Sequence, residues 1–194
     1  MIFHNKSGGT EGPATHIAVD LETGQAVYTE AFDASKIPFE LQPLIDSQTA
    51  VDIYSAAIRQ VYTVDNGLGG YHEFPTVYLV AATDDRAGSH RIEDSPTVVL
   101  DEVVRKGIKA NLEDFTAEFV WVEESADVSW EDGRVQGGGA IIEMGNIYLR
   151  EDGTAQVAIS ITYGNLGSSG LTYVLEDIEG RWQIVGNTGT RWMA

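Results

Sequence analysis

Residues 155–163 read Ala-Gln-Val-Ala-Ile-Ser-Ile-Thr-Tyr, an unbroken alternation of apolar and small or polar side chains. Extended backbone sends successive side chains to opposite faces. Val157, Ile159, Ile161 and Tyr163 therefore share one side, and Gln156, Ala158, Ser160 and Thr162 the other. A helix cannot sort residues with a period of two, whereas an antiparallel strand with one covered face does. Such a strand needs partners along both edges, and the flanking sequence offers them. Gly137-Gly138-Gly139 leads into a run of about Ala140 to Leu149, and Glu151-Asp152-Gly153 supplies the tight turn that follows. Leu171 to Ile178 and Arg181 to Val185 come next, joined by Glu179-Gly180. The stretch Gly164 to Gly170 reads as a flexible loop, too long for a two-residue turn. Runs this close in sequence pair with their neighbours, which predicts a four-strand meander over 137–194.

Within the first run, the period of two puts Ile141, Ile147 and Leu149 on one face and Ile142, Met144 and Tyr148 on the other. Glu143 and Gly145 interrupt the first face. Apolar residues on both sides mark a strand covered on both sides.

Upstream, residues 1–13 carry Gly8-Gly9 and Gly12-Pro13 and are expected to be a flexible arm. A hairpin is expected from His16 to Phe32, turning at Glu22-Thr23-Gly24, and a connector with two prolines spans 33–48. A helix capped by Ser47 or Thr49 runs to about Val64, with Val51, Tyr54, Ile58, Val61 and Tyr62 on its apolar side. Phe74 to Ala82 is a strand and Thr83 to Asp94 an acidic loop. A second helix starts after a cap at Ser95 or Asp101, and Val103, Val104, Ile108 and Leu112 form its buried side. Thr116 to Val122 is a strand, and 123–136 an acidic loop holding Trp130. The expected architecture is one α+β domain over 14–194. A curved antiparallel sheet packs on two main helices within 47–194, and the N-terminal hairpin is an addition.

A chain of 194 residues with 43% hydrophobic content has the material for one sizeable core. Its 30 acidic and 12 basic residues give a net charge of −18, a field that repels nucleic-acid phosphates and anionic membranes. Nucleic acid is therefore excluded as a partner. No apolar run reaches the length of a bilayer span, so membrane insertion is not expected. Cysteine is absent, which removes disulfides, thiolate nucleophiles and cysteine metal sites together. These properties suit a soluble chain, either cytoplasmic or secreted with its leader removed.

Leu175-Glu176-Asp177, Gly180-Arg181-Trp182 and Ile184-Val185 close the meander with a strand, an acidic and glycine turn, a Trp and an apolar pair. This ending, after the order helix, strand, helix, strand, resembles the nuclear-transport-factor-like superfamily, which includes the ketosteroid isomerases. The resemblance covers residues 47–194. It implies a strongly curved sheet wrapped against helices to form a cone. It also implies a role anywhere between enzyme and pure binding module. The isomerase members use an acidic base and a tyrosine–acid pair in the cone, and no motif of this chain marks that set.

The residues themselves offer a few candidates. Tyr54 and Tyr62 lie on the apolar side of the first helix, where their hydroxyls either meet a ligand in the cone or bond to backbone in the core. Glu143 is a base candidate if its face is interior, and an ordinary surface carboxylate if it is not. His72 stands in a loop beside Glu73 and near Asp65, a neighbourhood suited to acid–base work or to a plain surface loop. His90 sits among Asp84, Asp85, Glu93 and Asp94, without the spacing of a calcium loop. No nucleophile elbow or phosphate loop is present, and neither a metal nor a cofactor is expected. The function expected is a non-catalytic binding or interaction module. It would self-associate, hold a protein partner, or take a small apolar ligand. The alternatives are an isomerase, lyase or hydrolase using Glu143, His72 or Asp65 with a tyrosine, and a secreted or cell-surface domain.

Overall fold

The computed structural model of the protein describes residues 45–69, 72–89 and 95–194, and the backbone of three short strands before them. The chain divides into two compact units, residues 1–42 and 43–194. In the first, β1 (Phe3–His4), β2 (His16–Val19) and β3 (Ala26–Tyr28) form an antiparallel sheet in that order. The expected hairpin is present as β2 and β3. Phe3 and His4, expected in a flexible arm, instead pair with Ile17 and His16. The rest of the arm, the turn at 22–24 and residues 29–44 lie outside the described residues.

The second unit is an α+β fold with a curved, open, mixed sheet. Its helices are α1 (Ser47–Thr63) and α2 (Glu102–Asn111). Its strands are β4 (Thr76–Val80), β5 (Glu118–Val122), β6 (Trp130–Glu131), β7 (Arg134–Val135), β8 (Ala140–Leu149), β9 (Ala155–Gly164), β10 (Gly167–Ile178) and β11 (Arg181–Met193). The spatial order is β11-β10-β9-β8-β4-β5, and β7 pairs with both β6 and β9. The meander β8 to β11 is antiparallel throughout. By contrast, β4 runs parallel to both β5 and β8. Long connections separate these strands, one of them carrying α2. Such crossovers return the chain in its original direction.

Val157, Ile159 and Ile161 are fully buried against α1, as their alternation requires. The α1 cap is Asp46, not Ser47 or Thr49. Its carboxylate accepts from the Thr49 N–H at 2.9 Å and from Thr49 Oγ1 at 2.8 Å. An ionised oxygen facing the positive end of a helix serves this role better than a hydroxyl. Asp101 caps α2 by accepting from the Val104 N–H at 2.9 Å. Val104, Ile108 and Leu112 are buried, but Val103 is 67% exposed. The helix is ten residues long and narrow-faced, and Val103 falls off its inner stripe. Gly107 lies where the two helices touch. A Cβ there would stand 2.6 Å from Val51 Cγ2.

Four further expectations are corrected by the pairing. In β8 the register slips between Met144 and Ile147, where three steps face the two from Ile159 to Val157. That bulge moves every later side chain to the opposite face. Ile147 therefore joins Ile142 and Met144 on the helix side, and Tyr148 faces the other way with Glu143. The flexible loop expected over 164–170 is a two-residue link, Asn165-Leu166, between Gly164 and its partner Gly167. β11 extends to Met193 and includes Arg191 and Trp192. Residues 123–136 hold the β6–β7 hairpin. Its turn, Asp132 (φ 50°) and Gly133 (φ 75°), has the two left-handed residues that fit the twist of a two-residue hairpin. On the sheet face away from α1, Val80, Val128, Val135 and Ile141 form a second small core.

Candidate functional site

The helix tyrosines are sealed in. Tyr54 is 3% exposed and donates its hydroxyl to the Gly145 carbonyl at 3.0 Å. Burial, with Asp85 and Tyr148 nearby, holds its phenol far above the ordinary range. Tyr62 is fully buried, edge-on to Phe115 at 5.1 Å and Phe119 at 5.9 Å, and its hydroxyl accepts from the Phe74 N–H at 3.4 Å.

Asp65 sits just past the end of α1, and its side chain is largely covered. Its carboxylate accepts from Tyr173 Oη at 2.8 Å, Gln60 Nε2 at 3.2 Å and Arg191 Nη1 at 3.4 Å. Its carbonyl accepts from Ser169 Oγ and from Arg191 Nη2. Burial first, and then the Asp65 carboxylate, push the Tyr173 phenol well above 10.0. Glu143 is half-buried on the outer face of the sheet and accepts a 3.4 Å hydrogen bond from Ser160 Oγ. His72 is exposed, with its ring edge-on to Phe74 at 4.8 Å. No recorded contact joins Asp65, Glu143 and His72 to one another. His90, Glu93 and Asp94 lie outside the described residues. Among the described residues no group of three or more His, Asp or Glu could hold a metal. No helix there is long and apolar enough to cross a membrane.

A different carboxylate–tyrosine pair lies at the bulge of β8. Residues 85–87 form a single 3-10 turn that packs on the outer face of the sheet over β8 and β9. Asp85, 4% exposed, accepts from the Asn146 N–H at 2.7 Å, from Asn146 Nδ2 at 3.2 Å, and from the Tyr148 hydroxyl. Asn146 Nδ2 also donates to the Pro96 carbonyl at 2.7 Å, and its Oδ1 accepts from Thr83 Oγ1 at 2.8 Å. Thr83 Oγ1 in turn accepts from the Val98 N–H. Burial, then the hydrogen bond to Asp85 and its charge, hold the Tyr148 phenol high. Gly145 brings strand and turn together. A Cβ at that position would lie 2.5 Å from Asp85 Oδ1 and 2.8 Å from Ala158 Cβ. A Cβ on Gly88 would lie 2.4 Å from Thr172 Oγ1. No buried side-chain nitrogen or oxygen of the network lacks a hydrogen-bond partner, and the backbone at Gly145 and Gly88 leaves no room for a side chain. The sequence places Asp85 in an acidic loop and Gly145 as an interruption of β8, and nothing in either run signals that they meet.

A cleft of about 500 Å³ opens at another place, between Leu68, His72, the β6–β7 turn, Gly138-Gly139 and the Asn165-Leu166 link. Phe74 and Tyr163 form its aromatic wall, with ring centroids 5.6 Å apart. Leu68 and Leu166, 45% and 91% exposed, add apolar surface. The Asn165 N–H donates to the Gly133 carbonyl at 2.8 Å and ties two of these segments together. Arg134, Asp132 and His72 stand at its rim. Of the residues singled out in the sequence, His72 alone lines this cleft. Asp132, Gly133 and Arg134 come from a hairpin read as loop, and Asn165 and Leu166 from a link read as a long loop. No family model matches this chain, and neither a curated protein nor a solved structure matches it.

Proposed function

We propose that residues 43–194 are a non-catalytic binding module whose ligand site is the cleft walled by Phe74 and Tyr163. The supporting observation is the state of the acid–base candidates. Tyr54 and Tyr62 are sealed in the core, Asp65 and Asp85 each accept three hydrogen bonds on the carboxylate, and among the described residues neither Glu143 nor His72 is hydrogen-bonded to a tyrosine hydroxyl. A general base needs a free lone pair aimed at a substrate proton. A cleft with apolar and aromatic walls and a few polar groups at its rim is the ordinary form of a small-molecule site. Self-association or a protein partner belongs to the same reading, as does the resemblance to the nuclear-transport-factor-like superfamily, which includes binding modules.

The second reading is an isomerase, lyase or hydrolase, and one observation favours it. Asp65 and Asp85 each lie within hydrogen-bond reach of a tyrosine hydroxyl. The crowding at Gly145 and Gly88 counts against it at Asp85.

The two readings separate in a titration with 2-naphthamide, an uncharged aromatic probe, followed through backbone amide shifts. The binding module expects saturable shifts centred on residues 133–139 and 163–167 at about 1 mM probe, weakened in Tyr163→Ala. Silence in that region, or shifts centred on Asp85 and Tyr148, would defeat it.

A further inference from the structure

We infer that the cleft selects carboxylates: flat, apolar acids whose body lies on Phe74 and Tyr163 and whose head meets Arg134. The inference rests on the reading of the cleft as the ligand site. It starts from an imbalance. The chain has 30 acidic residues and 12 basic ones, so a cation finds a carboxylate easily. Arg59, Arg86, Arg105, Lys106 and Arg191 each hold one, while Lys109, Arg150, Arg181 and Arg134 hold none among the described residues, and of these four only Arg134 lines the cleft. Arg134 lines the cleft, and among the described residues it makes no ion pair and no side-chain hydrogen bond. This holds although Glu131 is its cross-strand partner and Asp132 is two residues away. Its stem lies on β9, since a Cβ on Gly164 would be 3.7 Å from Arg134 Cγ. Arg134 is thus an exposed cation that lines the cleft beside the aromatic wall and has no partner among the described residues.

A guanidinium presents parallel N–H groups that match the two oxygens of a carboxylate. An aromatic wall takes a flat body without a fixed orientation, so the head group sets the pose. The net charge of −18 repels any anion at a distance, and the preference for an acid must therefore arise at the contact. Asp132 at the same rim opposes it locally. Its left-handed backbone accepts asparagine as readily as aspartate, so its charge can be removed with the turn intact.

The test compares 2-naphthoate with its uncharged isostere 2-naphthamide on the full chain at neutral pH, by calorimetry or amide shifts. The expected result is naphthoate binding about ten-fold tighter than naphthamide. Arg134→Gln should bring the two together by weakening the acid alone, and Arg134→Lys should fall between. Asp132→Asn should tighten naphthoate by about two- to three-fold and leave naphthamide unchanged. Equal affinities in the parent, or an Arg134→Gln variant that weakens both probes alike, would overturn carboxylate selection while leaving the cleft as a binding site. Failure of both probes to bind would overturn the cleft reading and this inference with it. Arg134 is exposed, so its variants are expected to keep the parent's unfolding midpoint, which separates lost binding from lost fold.

Discussion

Replacing Asp85 by alanine tests whether the β8 bulge is held by its hydrogen-bond network. The carboxylate satisfies the Asn146 N–H, one hydrogen of Asn146 Nδ2 and the Tyr148 hydroxyl. Asn146 is 1% exposed, so its N–H has no route to water once the acceptor is gone. An orphaned buried donor costs about 1–3 kcal/mol. Asn146 Nδ2 keeps its bond to Pro96, and Tyr148 is half-buried and can turn toward solvent, so these two losses are smaller. Removing the carboxylate also removes the cost of keeping it from water, which offsets part of the sum. We expect a net loss of about 3 kcal/mol. With a urea slope of about 2 kcal/mol/M, the unfolding midpoint should fall by about 1.5 M at an unchanged slope. Asp85→Asn keeps an acceptor for the Asn146 N–H and an amide for Tyr148, and should lose less than half as much. An Asp85→Ala variant within about 0.5 kcal/mol of the parent, the range of a surface change, would refute the argument.

Other outcomes follow from the same geometry. Gly107→Ala should destabilise by about 1 kcal/mol, because the overlap with Val51 outweighs the better helix propensity. Val51→Ala in the same chain should recover part of that loss, and additive midpoints for the two changes would count against the contact. Asp46→Ala should lower the melting temperature through loss of the α1 cap. At the alkaline end, Tyr54, Tyr148 and Tyr173 have folded values raised above the ordinary 10.0. A raised phenol keeps its proton longer folded than unfolded, so its stabilisation is complete below 10 and declines as pH climbs further. Ultraviolet titration should show these three ionising only as the chain unfolds, and smooth ionisation with the fold intact would contradict this. At the acid end, the Arg86 hydrogen bonds hold Asp84 below 3.8, and the Arg59 hydrogen bonds do the same for Asp114. Their contributions are complete above 3.8 and vanish as pH falls through the lower folded values. Asp114→Asn should therefore flatten the loss of stability below that point.

The parts legible in the sequence are those where one periodicity runs unbroken. The alternation of β9 fixed both its buried face and its place in the meander, and the spacing of Val51, Tyr54, Ile58 and Val61 placed α1 against the core. Legibility failed where one residue more or less decides. The slip after Met144 reverses the faces of β8, and a count by twos carries no sign of it. Small residues misled in the same way. Gly167, Ser168, Ser169 and Gly170 read as a loop, yet they are a strand kept small by what lies against it. A Cβ on Gly170 would reach within 2.1 Å of the Ala87 carbonyl oxygen. The Asp85 network and the cleft join segments distant along the chain, so no local pattern encodes either. His72 was visible because it stands beside Glu73 and near Asp65, whereas Asp132-Gly133 before Arg134 is a hairpin signal whose two-residue arms are too short for an alternation to show.

Among the described residues β11 is one of the two edge strands of the sheet, and its register against β10 slips twice, between Leu171 and Tyr173 and again between Val174 and Leu175. Another chain seeking to zip onto it finds only short straight stretches, each too brief to hold a lasting cross-molecular ribbon. The extra residues around Thr188 and Gly189 interrupt that edge, a feature that hinders edge-to-edge pairing. Trimming them to restore a straight edge should turn a well-behaved protein into one that gels when concentrated.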